Sequence, residues 1–129
     1  MANVSLGMRY NIQEIIETAL REDIGAGDIT TTATVDKKAE GSAEIIIKED
    51  LIVAGILIAE AVFKTVDAEI AFKAFLKDGN SVKKGKTIAK VSGRLSSLLA
   101  GERVALNFLQ RLSGIATLTS CFVAKVKGC

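Results

Sequence analysis

Apolar residues near the start of the chain recur at helical spacing. Ile12, Ile15, Ile16, Ala19 and Leu20 fall at i, i+3, i+4, i+7 and i+8, the stripe of a helix that lies on a core. Asn11, with Glu14 three residues on, reads as its N-cap with a residue that can reach back. Glu17 and Arg21 form a favourable i, i+4 pair. Gly25 and Gly27 are expected to stop the helix and open a loop. A Thr-rich extended stretch (Thr30, Thr31, Thr32, Thr34) and a charged turn (Asp36, Lys37, Lys38) come next. The β-branched run Ile45, Ile46, Ile47 between polar flanks predicts a largely buried strand over 42–48. Leu51 to Ala54 reads as a short strand that runs into a helix over 55–66, where Ile58, Ala61, Val62 and Thr65 keep helical spacing. Alternation over 69–77 predicts another strand, with Ile70, Phe72, Ala74 and Leu76 on one side. Turn signals at Asp78-Gly79-Asn80 and Lys83-Lys84-Gly85 precede a strand over 87–91, which Ser92-Gly93 closes. From Leu95 onward the pattern is helical, with a break expected near Ser113-Gly114. The order α, β, β-α, β, β, α-α is that of an α+β domain with a terminal helical segment.

Composition narrows the chemistry. The 129 residues contain no His, no Pro, no Trp and two Cys. Without His the chain has no Ser-His-Asp or Cys-His catalysis and no imidazole proton shuttle. Two Cys alone cannot make a four-ligand zinc site. The 17 Lys and Arg against 15 Asp and Glu leave a net charge of +2, and aromatic residues are 5%. No basic tract is interleaved with stacking rings, so no nucleic-acid partner is expected. The longest apolar run, Leu51 to Ala59, is too short for a membrane-spanning helix. Met1 to Tyr10 lacks the apolar core of a signal peptide. Cys121 and Cys129 on one helix would be separated by about 12 Å of rise, too far for a disulfide. They are read as free thiols in a reducing, cytoplasmic compartment.

Three segments are candidates for chemistry. In the acidic loop Glu22-Asp23-Ile24-Gly25-Ala26-Gly27-Asp28, the Gly-x-Gly follows a helix, whereas a phosphate loop follows a strand. Its simplest role is an Asx-type turn at Asp28, and no metal site is assigned. The spacing Gly79-x-x-Val82-x-x-Gly85-x-x-Ile88 occurs in hammerhead and barrel-sandwich β structures, among them biotinyl and lipoyl carriers. A non-catalytic carrier or interaction module, with Lys37 or Lys38 as the modified lysine, is therefore the alternative to an enzyme. The third segment runs from Ala100 to Thr117. On a helix Arg103, Asn107, Gln110 or Arg111, and Gly114 fall on one side, amid Leu98, Leu99, Ala105, Leu106, Leu109 and Leu112. A guanidinium on an apolar helix needs a partner. Its planar fork suits a carboxylate or phosphate ligand, and an ion pair with a neighbouring acid such as Glu102 is the structural alternative.

The blocks Ala19 to Thr31, Asp78 to Ile88 and Gly101-Glu102-Arg103-Val104-Ala105-Leu106-Asn107-Phe108-Leu109-Gln110-Arg111-Leu112-Ser113-Gly114-Ile115-Ala116-Thr117 occur in one order over nearly the whole chain. Together they resemble the quinolinate phosphoribosyltransferase family, the carboxylating nicotinate-nucleotide pyrophosphorylases. The resemblance implies a fold: an N-terminal α/β hammerhead domain over 1–113, then a helical segment over 114–129 that leads into an absent α/β barrel. It also implies a reaction. Quinolinate and phosphoribosyl pyrophosphate, with Mg²⁺, give nicotinate mononucleotide, pyrophosphate and CO₂ for NAD synthesis. In the family's dimer this domain covers the barrel mouth of the other subunit, and the Arg of Gly-Glu-Arg, here Arg103, reaches the substrate's carboxylates. Glu102, Asn107 and Arg111 are then supporting residues. The family's chains are longer. The resemblance therefore implies an N-terminal part, inactive and without Mg²⁺ by itself, in a homodimer or higher homo-oligomer. A paralogue of the same fold with another substrate would share these features.

Overall fold

A computed structural model describes residues 2–27 and 39–127, with side chains described over 11–23 and 39–125. Helix α1 spans Ala2–Gly27. Strands β1 (Glu40–Ile46) and β2 (Leu51–Ile52) lead to helix α2 (Ile56–Val66). Strands β3 (Ala71–Ala74), β4 (Ser81–Val82) and β5 (Thr87–Arg94) precede helix α3 (Leu95–Lys127). The class is α+β. Three antiparallel strands pair in the order β1-β5-β3, and β2 pairs with β4 in a separate two-stranded sheet.

One core joins these elements. Ile16 and Leu20 of α1 meet Ile56, Ala59, Val62 and Phe63 of α2, Ile88, Ala89 and Val91 of β5, and Leu98, Val104, Ala105 and Leu109 of α3. Each large apolar side chain of this kind contributes about 1.5–3 kcal/mol when fully buried. The two helices α2 and α3 lie close because residue 101 has no side chain. A Cβ there would stand 3.0 Å from Phe63 Cδ1.

Several local expectations change. Helix α1 begins nine residues before Asn11, so Asn11 is not its cap, and it runs on through Gly25 rather than stopping there. Of the predicted stripe, Ile16 and Leu20 are buried while Ile15 is 55% exposed. Strand β1 is not largely buried: Ile45 is covered, but Ile46 is 51% exposed. As an edge strand it offers one face to the core, and its register shifts between Ile45 and Ile46. Strand β5 runs through Ser92 and Gly93 to Arg94, because Gly93 and Arg94 pair with Gly41 and Glu40. Helix α3 does not break near Ser113-Gly114. The Thr-rich stretch from Thr30 to Thr34, the 36–38 turn and Cys129 lie outside the described residues; Cys121 is free and exposed.

The turn at Asp78 serves a distant element. Asp78 Oδ2 accepts the Gly55 N–H at 3.0 Å and Oδ1 accepts the Ile56 N–H at 3.0 Å. These are orphan donors of the α2 N-terminus, and the carboxylate also meets the positive end of the helix. Gly55 itself has φ 97°, a left-handed conformation that favours glycine.

Candidate functional site

Helix α3 carries the strongest sequence motif, and its packing decides which motif residues reach solvent. Val104, Ala105 and Leu109 turn into the core, which leaves Glu102, Arg103, Asn107 and Arg111 exposed. Arg103, Asn107 and Arg111 recur at i, i+4 and i+8 and so share a face. That face looks toward α1. Asn107 and Arg111, with Val104 and Phe108, form one wall of a groove of about 410 Å³, and Ala19, Glu22 and Asp23 form the other. Gln110, the alternative to Arg111 on this face, lines a different cleft, beside Ile45, Ile46 and Lys48.

Arg103 stands beside the groove through its contact with Asp23. Its NH1 group donates to Asp23 Oδ1 at 3.2 Å. The Arg103 side chain is 72% exposed and that of Asp23 only 21%. The ion-pair partner is thus Asp23, eighty residues away in sequence, and not the adjacent Glu102. Glu102 lines a cleft on the β1 side, with Ala43, Glu44, Ile46 and Lys48. Two residues expected in an acidic loop, Glu22 and Asp23, instead belong to the last turns of α1. Asp28, Lys37 and Lys38 lie outside the described residues. No residue pattern pointed to Asp23 as the partner of Arg103, since only the packing of α1 on α3 brings them together.

Chemically the arrangement is a cation with spare donors. A guanidinium has five N–H donors, and among the described residues Arg103 uses its NH1 group on Asp23 alone. A planar anion with two oxygens can take the rest of the fork. The described residues hold no cluster of three His, Cys, Asp or Glu side chains that could bind a metal ion. No described helix is long and apolar enough to cross a membrane.

Further along, α3 is anchored to the segment around β2 by two hydroxyls. Ser113 Oγ accepts the Ala54 N–H at 3.0 Å and donates to the Ala54 carbonyl at 3.1 Å. Thr117 Oγ1 accepts the Ile52 N–H at 2.9 Å and donates to the Ser113 carbonyl at 2.7 Å. In place of the break expected near Ser113-Gly114, Ser113 and Thr117 satisfy backbone groups of Ala54 and Ile52.

Comparison with known proteins agrees with the motif. The family described as "Quinolinate phosphoribosyl transferase, N-terminal domain" matches residues 28–113. Quinolinate phosphoribosyltransferase [decarboxylating] 2, mitochondrial, of Nicotiana glauca is 45% identical over 111 residues, 85% of this chain and 32% of the relative. The probable nicotinate-nucleotide pyrophosphorylase [carboxylating] of Bacillus subtilis is 39% identical over 84% of this chain and 37% of its own. The crystal structure of NadC from Streptococcus pyogenes superposes with a TM-score of 0.85 at 38% identity, over 89% of this chain and 41% of that one. The chain thus spans about a third of the length of these curated relatives. An exposed arginine in a Gly-Glu-Arg helix, the shared fold and the matched sequence agree: the chain belongs to the quinolinate phosphoribosyl transferase family, as its N-terminal domain.

Proposed function

We propose that this domain serves an enzyme that converts quinolinate and phosphoribosyl pyrophosphate into nicotinate mononucleotide, pyrophosphate and CO₂ in NAD biosynthesis. In that enzyme it covers the active site of a partner subunit in a homodimer or higher homo-oligomer, and Arg103 binds the carboxylates of quinolinate there. One observation carries the reading. The Arg103 side chain is 72% exposed on the first half of a helix that docks on the core there, and a single carboxylate holds one end of its guanidinium. The free part of the fork suits a dicarboxylate. Arg103 orients the substrate and stabilises its negative charge; it supplies no proton, because arginine stays protonated. Asn107 and Arg111 support it by lining the adjoining groove, and Glu102 supports the β1 side of α3. The names of the plant and bacterial relatives are consistent with this reaction.

The rest of the chemistry is assigned to a barrel domain that follows residue 113 in the same enzyme. Mg²⁺ belongs there with phosphoribosyl pyrophosphate; the described residues of this domain do not fit it, and no step is routed through it. The free, exposed thiol of Cys121 fits a reducing, cytoplasmic location, although some plant relatives are named mitochondrial or chloroplastic.

The test is steady-state kinetics of a full-length enzyme carrying this domain. Arg103→Ala is expected to raise the quinolinate KM about tenfold or more, the loss of a charged hydrogen bond, and to leave the KM for phosphoribosyl pyrophosphate within about twofold. Equal losses for both substrates would overturn the assignment. The 129-residue chain in the same assay is expected to form no nicotinate mononucleotide.

A further inference from the structure

We infer that Asp23 is a positioning residue for Arg103: it sets the direction of the guanidinium before the anionic substrate arrives. The inference rests on the reading of Arg103 as a quinolinate ligand. Its basis is the asymmetry of the pair. The Asp23 side chain is 21% exposed and that of Arg103 is 72%. The acid is therefore the anchored end, held where α1 lies against α3, and the base is the free end. The contact, 3.2 Å between NH1 and Oδ1, engages one edge of the guanidinium and leaves the remainder for a ligand.

Two effects of Asp23 oppose each other. Its charge repels an incoming carboxylate and partly offsets Arg103. Its hydrogen bond removes rotamer freedom that a long, exposed arginine would otherwise lose on binding. At an exposed pair the repulsion is screened by water and salt. Two-pronged carboxylate recognition depends on the plane of the fork, so the ordering effect prevails. Neighbouring residues do not duplicate it. Glu102 lines the β1-side cleft, and the described contact of Arg103 is with Asp23 alone. Glu22 lines the groove but makes no ion pair with Arg103.

A double-mutant cycle in a full-length enzyme tests the inference. Asp23→Ala is expected to raise the quinolinate KM about fivefold, the upper end of what an exposed ion pair contributes, with kcat and the KM for phosphoribosyl pyrophosphate within about twofold. Asp23→Asn keeps an oxygen acceptor and is expected to recover most of the loss. In an Arg103→Ala background, Asp23→Ala is expected to add nothing. An unchanged or lowered quinolinate KM in Asp23→Ala overturns the inference, as does an equal rise in the Arg103→Ala background. A lowered melting temperature with parallel rises in both KM values marks a purely structural role and also overturns it. These outcomes are separate from failure of the parent reading, which shows as an unchanged quinolinate KM in Arg103→Ala itself.

Discussion

Asp67 closes helix α2 and ties two other elements to it. Its carboxylate accepts the Glu69 N–H at 3.0 Å and the Ser97 hydroxyl at 2.8 Å, with Arg94 Nε 3.9 Å away. The Glu69 hydrogen bond, the Ser97 hydroxyl and the Arg94 charge hold this carboxyl below the usual carboxylate range, against a smaller opposing effect of burial. Asp50 is lowered in the same way, chiefly by the Lys84 N–H and then by Lys83. A lowered folded-state pKa means that the unfolded chain takes up the proton first. The stabilisation is therefore complete above the ordinary value of 3.8 and is lost as pH falls through the folded-state values. Denaturant midpoints measured as the pH is lowered past that value should fall, and Asp67→Asn should flatten the decline. A decline of the same slope in Asp67→Asn would exclude this role. At this scale the sequence is a poor guide to partners. Asp67, Asp78 and Asp23 look alike as acids near turns or helix ends. One caps its own helix, one caps a helix 22 residues earlier, and one holds an arginine 80 residues later.

Elements were more legible than their partners. Three helical segments and four of the five strands follow from periodicity, because a stripe at 3.6 spacing or an alternation of two identifies the buried face; β4 (Ser81–Val82) falls between two turn signals and has no such pattern. Their ends were less legible. The segment Ser113-Gly114 has the composition of a helix break, yet α3 is continuous from Leu95 to Lys127. The hydroxyls of Ser113 and Thr117 explain this, since they bond backbone at Ala54 and Ile52 and so gain from a helix that holds its course. Two substitutions separate the cases. Gly114 has nothing within 4 Å of an added Cβ, so Gly114→Ala should stabilise the fold by about 0.5–1 kcal/mol through helix propensity. Ser113→Ala should cost about 1–3 kcal/mol, because the partly buried Ala54 N–H and C=O lose a partner. Urea denaturation of both variants gives the comparison; destabilisation by Gly114→Ala would mean that the helix is not continuous there.

For the whole molecule, the distal half of α3 is the feature out of balance. Ile115, Leu118 and Phe122 are 64%, 76% and 69% exposed at spacings of three and four residues. A single stripe of this size is unusual on an unpartnered surface. The 129-residue chain should self-associate with rising concentration in sedimentation velocity, and Leu118→Glu with Phe122→Glu should shift it toward monomer. A wild-type chain that stays monomeric at high concentration would exclude this. The sequence by itself determined the α+β class, the helices and the family, because periodicity and contiguous motifs are local properties of the chain. It also marked Arg103 as a cation in search of an anion, because a charge on an apolar helix is visible without coordinates. Tertiary structure alone decided that Asp23 meets Arg103, that Asp78 caps α2 and that Ser113 clasps Ala54. Each of those pairs is joined by the packing of separate elements, and no spacing along the chain encodes where two packed faces come to rest.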